Sequence, residues 1–451
     1  MTPPQTDYQA ALDVLAARGR FGIRLGLGRT RALLRALGDP HLAVRGALVA
    51  GTNGKGSVLA LAGSALRAAG LRVGETPKPH LVTYRERVTV DGRPISVGDF
   101  TRQVHAVLAV ADGVARRHGE PTEFELLTAA VFRHFAESNL DVALVEVGLG
   151  GRLDATHAWD GGVAVVTNVD LDHMDRLGAT VGLIAREKAA IIERGDVAVT
   201  GAHGEALAVI RRRAARMSVP LTIAEPATVR DWDRDGLDVD LPHLGRIRVG
   251  LRGRHQAANV AVADALLDAL ESAGIASVDA GARRAGYASA TWPGRLELLH
   301  LRNGHEVLLD GAHNPAGAVA LAQALDDLRP FLVPGPLTLV TAVMADKDVD
   351  GVIDSLGAAD ALREPGAVVI ATAVDAARAL PAEELARRWR YRQPHMREIR
   401  GVSDPIAAVE AAIARPGPTV VAGSLYLVGA VRAHLVDDPD LRDPGRGGPT
   451  P

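Results

Sequence analysis

The sequence predicts an α/β protein built from two domains, each with a mostly parallel sheet. Apolar runs that end in glycine-rich turns alternate with alanine- and leucine-rich stretches, as in GALVAGTNGKGS followed by VLALAGSALRAAG. This alternation is typical of βα units on a sheet that is buried on both faces. A chain of 451 residues is also too long for a single ordinary core, so we expect more than one domain.

The predicted elements follow in order along the chain. VALVEVGLGG and GVAVVTNVD predict further strands of the first sheet, and residues 222–249 predict a small antiparallel insert of short strands joined by turns. HQAANVAVADALLDALESAG then predicts a helix, and the Trp-Pro-Gly at residues 292–294 predicts a hinge, after which the alternation starts again at EVLLDGAHNPAG. We therefore expect a first domain at residues 1–295, a second α/β domain at 296–436 and a disordered tail at 437–451.

The composition excludes several classes of protein. A net charge of -3 with 23% charged residues gives no electrostatic case for nucleic acid or membrane partners, and 3% aromatic residues argues against base-stacking platforms. The absence of cysteine rules out disulfides, thiolate zinc sites and cysteine nucleophiles. The N-terminus lacks the apolar core of a signal peptide, and no run of about 18 apolar residues follows. We therefore expect a cytoplasmic protein.

VAGTNGKGSV, at residues 49–58, is a glycine-rich turn between an apolar strand and a helix. Its glycines let backbone N–H groups close on phosphate oxygens, and the helix N-terminus adds a favourable dipole. Lys55 would reach the β- and γ-phosphates, and Ser57 would ligate Mg²⁺. The strict P-loop pattern fails because its first glycine is absent, so a plain glycine-rich strand-to-helix turn is the alternative.

Two later strands also end in residues suited to a ligand site. Glu146 lies in an otherwise apolar strand, where an unpaired carboxylate is costly to bury. Mg²⁺ would satisfy it, and a salt-bridged structural glutamate is the alternative. Asp172 and His173 follow the next strand, at the sheet edge where ligands usually bind, although a lone histidine is often a hydrogen-bonded loop residue.

Four segments further along the chain end apolar runs with polar residues, as expected of a cleft. They are RHQAAN, WPGRLE with Arg295, LLDGAHNPAG with Asp310, His313 and Asn314, and VMADKD with Lys347. Taken alone, each segment is more typical of a capped turn than of a site.

Together, ten segments resemble the folylpolyglutamate synthase and dihydrofolate synthase family, which belongs to the Mur ligase superfamily. They are GTNGKGS, PHLVTYRERV, EVGLGGRLDAT, LDH, AREKA, GRHQAAN, WPGRLE, LDGAHNP, MADKD and VAGSLYLVG, in this order from about Ala10 to Leu435. The ten in family order are far more specific than any one of them.

The resemblance implies an N-terminal P-loop ATPase-type domain and a C-terminal Rossmann-like domain, with the active site in the cleft between them. It implies an ATP-dependent ligase that forms an acyl phosphate from a pterin-linked carboxylate and joins it to the amine of L-glutamate. ATP, Mg²⁺, L-glutamate and dihydropteroate or reduced folates are the implied small molecules, and a monomer is expected. We expect a bifunctional dihydrofolate synthase and folylpolyglutamate synthase; folylpolyglutamate synthase activity alone is the alternative.

Lysine is scarce in this chain. Only four of the 51 basic residues are lysines, at positions 55, 78, 188 and 347. Where arginine is the usual cation, a remaining lysine is a candidate for a site that needs a primary amine. The resemblance implies that Lys188, in AREKAAI, is N6-carboxylated and orders the metal and phosphate site. Arginine cannot be modified in this way because its guanidinium stays protonated.

The resemblance also implies the site residues, by their positions in the matching motifs. The implied catalytic residues are Lys55, Glu146, His173 and Lys188. The implied metal ligands are Ser57, Glu146, His173 and Lys188. The implied ATP contacts are Thr52, Asn53, Gly54, Lys55, Gly56, Ser57, Asn259, Arg295, Asp310 and His313. The implied substrate contacts are Ile23, Leu25, Thr122, Phe124, Glu125, Leu153, Asp154, Ala155, Arg378 and Ser424.

Some positions depart from the family pattern. Lys78 stands where the family usually has a metal-holding serine before Pro-His-Leu, and a cation that pointed inward there would repel Mg²⁺. We expect Lys78 either to replace the charge of one metal ion or to turn toward a substrate carboxylate or phosphate. His157, Ala190 and Ala316 also differ, the last where a polar residue often follows Asn-Pro.

Three other functions are alternatives. A Mur-type ligase for a cell-wall precursor usually carries a UDP-sugar domain before the phosphate turn, and only 50 residues precede Gly51. A nucleotide-binding scaffold that has lost catalysis is the second, for which Lys78 is the only positive hint. A dinucleotide oxidoreductase is the third, and the chain lacks the G-x-G-x-x-G fingerprint at its GLGG segment.

Overall fold

The computed structural model describes residues 5–19, 24–376 and 378–444. The predicted substrate contact Ile23 lies outside these residues. The helices are α1 Gln5–Gly19, α2 Gly28–Ala36, α3 Lys55–Ala68, α4 Val97–His118, α5 Glu123–Glu137, α6 Met174–Leu177, α7 Val181–Ala189, α8 Gly204–Met217, α9 Gln256–Ser272, α10 Ala280–Ser289, α11 Pro315–Leu328, α12 Val349–Gly357, α13 Asp360–Arg363, α14 Ala382–Arg392, α15 Pro405–Ile413 and α16 Leu425–Leu435.

The strands form three separate sheets. They are β1 Gly46–Ala50, β2 Val73–Thr76, β3 Thr89–Val90, β4 Arg93–Pro94, β5 Val142–Glu146, β6 Gly162–Val166, β7 Val197–Thr200, β8 Leu221–Ile223, β9 Thr228–Asp233, β10 Gly236–Leu241, β11 Gly245–Val249, β12 Glu297–His300, β13 Glu306–Leu309, β14 Thr338–Thr341, β15 Val368–Ala371, β16 Glu398–Gly401 and β17 Thr419–Ala422.

The first sheet has eight strands in the order β4-β3-β2-β5-β1-β6-β7-β8. All neighbours from β2 to β8 are parallel, and only β3 and β4 pair antiparallel, at one edge. Successive side chains of a strand point to opposite faces. Leu48 and Ala50 of β1 accordingly join a core with α1, α2, α4, α5, α7 and α8, whereas Ala47 and Val49 join a second core with α3, α9 and α10. The predicted parallel sheet, buried on both faces, is confirmed.

The antiparallel insert is the three-stranded sheet β11-β10-β9. Leu237, Val239 and Leu241 of β10 pack into the core that also holds α3 and α9, so the insert is fixed to one face of the first sheet. Its predicted start was wrong. Thr222 belongs to β8, which pairs parallel with β7 and extends the large sheet.

The second large sheet has six strands in the order β12-β13-β17-β14-β15-β16. It is parallel except for β12, which pairs antiparallel with β13 at one edge. Helices α11 to α14 contribute to the core on one face, and α15 and α16 to the core on the other. This is the predicted second α/β domain. The chain passes to it between the end of α10 at Ser289 and the start of β12 at Glu297.

The segment after α16 differs from its prediction. Disorder was expected from residue 437, but Pro439–Leu441 form a turn of 3₁₀ helix, and Asp443 accepts hydrogen bonds from Tyr8 Oη at 2.8 Å and Thr83 Oγ1 at 2.7 Å. The prediction was wrong for residues 437–444 because their acidic, proline-containing composition gives no sign of partners so distant in sequence. Residues 445–451 lie outside the described part of the chain.

Among the described helices, none is both long enough and apolar enough to cross a membrane.

Candidate active site

A cavity of about 1180 Å³ lies between the two large sheets. It is formed at the carboxyl ends of β1, β5 and β6, where ligands bind in sheets of this kind, and residues that follow β13 close it from the second domain. The predicted site residues that line it are Leu25, Thr52, Asn53, Gly54, Lys55, Gly56, Ser57, Thr122, Phe124, Glu125, Glu146, Leu153, Asp154, Ala155, His173, Lys188, Asn259, Arg295, Asp310, His313 and Arg378.

The turn between β1 and α3, residues 51–54, is held by its neighbour β6. Asn53 N donates to Asn168 Oδ1 at 2.8 Å, and Thr167 Oγ1 donates to the Asn53 carbonyl at 2.7 Å. Gly54 has a φ of 80°, and a Cβ there would lie 2.3 Å from Asn259 Oδ1. Glycine is therefore required both by the backbone conformation and by the close approach of α9. The turn is pre-formed at the start of a helix, as anion binding requires.

Lys55 is the first residue of α3, and its ammonium folds back over the turn. Its Nζ donates to the carbonyls of Gly51 and Thr52, each at 3.1 Å, and lies 3.8 Å from Glu146 Oε1. The ammonium is thus held over the same loop whose N–H groups would receive phosphate, and beside a carboxylate that faces the cavity.

Glu146, at the end of β5, is 3% exposed. Burial raises the pKa of its carboxyl group, although Lys55 and Lys78 act to lower it. The Lys78 backbone N–H donates to Glu146 Oε2 at 2.9 Å, and Lys78 Nζ donates to the Glu146 carbonyl at 2.5 Å. Glu146 is therefore a buried acid rather than a member of a surface ion pair. Its carboxylate lies near the Lys55 ammonium and accepts from the Lys78 backbone N–H.

Lys78 makes a second contact, with an aromatic ring. Its Nζ lies 4.7 Å from the centroid of Phe124, a distance typical of a cation–π interaction. Burial lowers the pKa of Lys78 to about 8, and Asp154 and Glu146 oppose that effect. The side chain therefore points inward, into the wall that Phe124 and Asp154 share.

Lys188 is 5% exposed, and its Nζ donates to the Gly51 carbonyl at 2.7 Å. Burial and the nearby cation of Lys55 lower its pKa to about 7, although Asp172 and Asp154 act to raise it. A large share of this amine is therefore neutral at neutral pH, which an arginine would not permit. The buried amine borders the phosphate turn directly.

The loop after β6 makes polar contacts across the cleft. Asp172 Oδ1 accepts from Lys347 Nζ at 3.2 Å, and Asp172 Oδ2 accepts from Asn314 Nδ2 at 3.2 Å. Although burial raises the pKa of Asp172, the cations of His173 and Lys347 lower it to about 2. The Asn314 side-chain oxygen also accepts from Gly317 N and so caps α11. Asp172 therefore ties the first domain to two elements of the second, beside the phosphate turn.

The second domain contributes Asp310 and His313 to the cavity. Both carboxylate oxygens of Asp310 are used by its own domain, because they accept from Leu296 N at 2.9 Å and Ala312 N at 2.8 Å. His313 Nδ1 lies 2.8 Å from the Gly311 carbonyl, and burial lowers its pKa to about 4. A carbonyl only accepts, so Nδ1 carries the proton of the neutral ring and Nε2 is left as an acceptor.

The predicted metal ligands Ser57, Glu146, His173 and Lys188 all border the cavity. Within residues 5–19, 24–376 and 378–444, no three His, Asp or Glu side chains are grouped so as to hold a metal ion. Ser57 and Lys188 are buried. The His173 side chain is exposed, and its backbone has a φ of 49°. The buried Glu146 carboxylate and the Ser57 hydroxyl are hard oxygen donors, which suit Mg²⁺.

Both domains of the chain match known protein families. Residues 49–267 match the Mur ligase middle domain, and residues 294–425 match the Mur ligase glutamate ligase domain. The Mycobacterium tuberculosis dihydrofolate synthase/folylpolyglutamate synthase is 37% identical over 459 residues, with 92% of this chain and 90% of the relative covered. The chain belongs to the dihydrofolate synthase/folylpolyglutamate synthase family. It is therefore an ATP-dependent ligase of the Mur type, as the sequence motifs predicted.

Solved structures of the family agree with the fold. The Mycobacterium tuberculosis folylpolyglutamate synthase complexed with ADP and AMPPCP has a TM-score of 0.83 and 32% identity, covering 96% of this chain and 99% of that one. A bifunctional folylpolyglutamate synthase/dihydrofolate synthase with Mn, AMPPNP and L-glutamate bound has a TM-score of 0.78 and 29% identity, again covering 96% and 99%.

Several residues predicted to contact substrate in this ligase have structural partners. Thr122 and Glu125 form a capping box at the start of α5, and Glu125 also pairs with Arg29 at 2.9 Å. Asp154 caps the short 3₁₀ helix Ala155–Ala158 and accepts from Leu149 N at 2.8 Å. These side chains line the cavity and at the same time fix the loops that form its wall.

The predicted substrate contacts Arg378 and Ser424 have different surroundings. Arg378 is exposed, lines the cavity and pairs with Asp346 of its own domain. Ser424 is 2% exposed and caps α16, accepting from Tyr426 N at 3.2 Å, and it is not among the cavity-lining residues. Its neighbours Leu425 and Tyr426 do line the cavity, so the predicted contact of Ser424 with substrate stays a prediction.

Lys78, Asp172 and Lys347 were named in the sequence as candidates but were not among the implied catalytic, metal, ATP or substrate residues, and all three lie at the cleft. The scarcity of lysine was a usable signal for two of them, because all four lysines of the chain lie in or beside this cavity. Asp172 stands beside the predicted His173, but its partners come from the other domain. No local pattern reports such contacts.

Proposed function

We propose that this protein joins L-glutamate to a pterin-linked carboxylate at the expense of ATP, and that it accepts both dihydropteroate and reduced folates. The observation that carries the proposal is one cavity that holds a glycine-rich turn at a helix start, a buried glutamate and a buried lysine opposite a second α/β domain. Its volume of about 1180 Å³ suits a nucleotide and an acceptor together. The Mycobacterium tuberculosis relative, named for both activities, supports the dual function.

The reaction has two balanced steps. A carboxylate oxygen of the acceptor attacks the γ-phosphorus of ATP, which gives the acyl phosphate and ADP. The amine of glutamate then attacks the acyl carbon, phosphate leaves with the former carboxylate oxygen, and the amine loses a proton. Phosphoryl transfer depends chiefly on positioning and charge neutralisation. The turn N–H groups and the Lys55 ammonium supply both, and the neutral His313 offers Nε2 to the amine proton.

We infer that Lys188 is N6-carboxylated in the active enzyme. Its neutral amine nitrogen attacks the carbon of CO₂, a carbamate forms and a proton is released. The product is a buried anion beside Gly51, whose carbonyl oxygen accepts from both the Lys55 ammonium and the Lys188 amine. A negative group there pairs with the Lys55 ammonium and provides an oxygen donor for a divalent ion.

We assign the metal ligands Ser57, Glu146, His173 and carboxylated Lys188, which border the cavity together. Bound Mg²⁺ would neutralise phosphate charge during transfer. The relative with Mn and AMPPNP bound supports a divalent ion at this kind of site. Lys78 is fixed on the Glu146 carbonyl, so its cation adds positive charge beside the same carboxylate.

We assign the other predicted contacts to two walls of the cavity. The turn, Asn259, Arg295, Asp310 and His313 face the nucleotide, while Leu25, Phe124 and the residues 153–155 face the pterin. We take the domain boundary to be at residue 295, in the connection between α10 and β12. A monomer in the cytoplasm remains our prediction.

The test is phosphate release from ATP by purified protein with Mg²⁺ and L-glutamate, with dihydropteroate in one reaction and tetrahydrofolate in another. Glutamate-dependent release in both reactions is the expected result. Release with tetrahydrofolate alone would leave a monofunctional folylpolyglutamate synthase. Release in neither reaction, with nucleotide still bound, would support the inactive scaffold.

A further inference from the structure

Three buried polar side chains of the first domain converge on one carboxylate near the end of the chain. Tyr8, Thr83 and Arg85 are 1%, 1% and 4% exposed. Tyr8 Oη, Thr83 Oγ1 and Arg85 Nε donate to Asp443 Oδ1 at 2.8, 2.7 and 3.3 Å, and Arg85 Nη2 donates to the Arg442 carbonyl at 2.9 Å. Groups buried to this extent are costly to leave without an acceptor. The segment that carries Asp443 is therefore part of the folded core of the first domain.

The other end of the same segment is fixed to the second domain. Val436 N donates to the Arg432 carbonyl at the end of α16, at 2.8 Å. Arg432 pairs with Glu297 of β12 through contacts of 3.0 and 3.1 Å. Residues 437–444, which we call the strap, thus run from the second sheet back to the first domain.

The strap holds a loop that lines the active-site cavity. Residues 77–88, which we call the wall loop, line the cavity with Pro77, Lys78, Pro79, Leu81, Glu86 and Arg87, and the strap lines it with Asp438, Asp440 and Leu441. Thr83 precedes and Arg85 lies in the 3₁₀ helix Tyr84–Arg87, the helix that also carries Glu86. The Glu86 carboxylate in turn accepts from the N–H groups of residues 81, 82 and 83 at 3.0, 2.7 and 2.6 Å.

We propose that Asp443 is a positioning residue for the ligase reaction. Through Thr83 and Arg85 it fixes the wall loop, and through the wall loop it sets where Lys78 stands on the acceptor side of the cavity. The proposal rests on the proposed function only in one respect, namely that the molecule bound on this side of the cavity is the pterin-linked acceptor. The phosphate turn itself is held by Asn168 and Thr167, so its conformation does not depend on a direct contact with the strap.

Hydrogen exchange of the full chain tests the contact itself. The wild type is compared with Asp443→Ala, Asp443→Asn and a chain that ends at Pro444, which keeps the strap contacts described above and serves as the control. We expect peptides covering residues 77–88 to exchange about tenfold faster in Asp443→Ala, with a smaller change in Asp443→Asn, which keeps an acceptor oxygen. Peptides covering β14, and all peptides of the shortened chain, keep the wild-type rate.

Kinetics then separates positioning from general destabilisation. In Asp443→Ala, we expect the KM for dihydropteroate or tetrahydrofolate to rise about fivefold and the KM for ATP to stay within about twofold. If Asp443→Ala does not fold, Asp443→Asn and Tyr8→Phe provide the same comparison with one hydrogen bond weakened. Unchanged exchange at residues 77–88, or an equal rise in both KM values, overturns the proposal. A wild type without ligase activity would defeat the proposed function, while the exchange result would still decide whether the strap holds the loop.

Discussion

The phosphate turn and the C-terminal stretch lie on different sides of the same cavity, and they were predicted with different success. Every residue predicted in the turn, from Thr52 to Ser57, lines the cavity. In the C-terminal stretch, the predicted substrate contact Ser424 caps a helix and is not among the cavity-lining residues, whereas the strap was expected to be disordered and lines the cavity. The glycines and the lysine that identify the turn are neighbours in sequence, although Thr167 and Asn168 hold it in place. The strap carries no such local pattern, and its partners come from the other end of the chain.

The largest loss of activity should come from a change in the phosphate turn, the side of the cavity that the sequence predicted well. Lys55→Ala removes the ammonium that lies over the turn and 3.8 Å from Glu146. We expect phosphate release to fall by at least about 10²-fold, while the unfolding transition is retained because the hydrogen bonds described for Nζ go to carbonyls of its own loop. Steady-state kinetics and thermal unfolding provide the two readings. Activity within about tenfold of wild type would mean that the turn does not hold the transferred phosphate.

A second test concerns the amine of Lys188. We expect Lys188→Arg to lose about 10- to 100-fold in activity, because the guanidinium keeps a cation where a carbamate is needed. Lys188→Ala should be partly rescued by short carboxylates, which can occupy the vacated space as anions. Full activity in the arginine variant would contradict the carbamate assignment.

The protonation of Lys188 predicts how the carbamate depends on pH. Burial lowers the pKa of this lysine to about 7, so its reactive neutral form increases as the pH rises through that value. With isotope-labelled CO₂, NMR of the wild type should show a carbamate signal that grows across the same range, and Lys188→Arg should show none. A signal equally strong in the arginine variant would assign the carbamate to another amine.

A smaller loss of activity is expected from breaking the Asp172 bridge between the two domains. Asp172→Asn keeps the shape of the bridge to Lys347 and Asn314 but removes its charge. We expect kcat/KM to fall about tenfold, and the loss in the double variant with Lys347→Met to be less than the product of the single losses. Asp346→Asn, whose partner Arg378 lies in the same domain, is the control. Multiplicative losses for Asp172 and Lys347 would mean that the bridge does not couple the domains.

The smallest effect should come from Ser424. Because its hydroxyl caps α16, Ser424→Ala should cost about 1 kcal/mol of stability in urea unfolding and leave the KM for L-glutamate within about twofold. A clear rise in that KM with unchanged stability would restore the predicted substrate contact.

The sequence predicted site residues correctly where a pattern of neighbouring residues identifies them. A glycine turn at the end of an apolar strand, a glutamate inside a strand and a lysine in an arginine-rich chain each identified a cavity residue without reference to the fold. The partners of Asp443 could not be found in this way, because Tyr8, Thr83 and Arg85 are 435, 360 and 358 residues away in sequence. The same holds for Asp172, whose partners Asn314 and Lys347 belong to the other domain. The composition of the strap is compatible with exposure to solvent, but the contacts that hold it in place exist only in the folded chain.

The acyl phosphate is the central claim, and the fate of the acceptor's carboxylate oxygen tests it most directly. The acceptor is labelled in its carboxylate with the heavy oxygen isotope, and phosphate released by the wild type with ATP, Mg²⁺ and L-glutamate is analysed by mass spectrometry. We predict that each phosphate carries one labelled oxygen, because the carboxylate oxygen leaves with phosphorus when the amine attacks. Unlabelled phosphate from a reaction that still forms the amide would contradict the account.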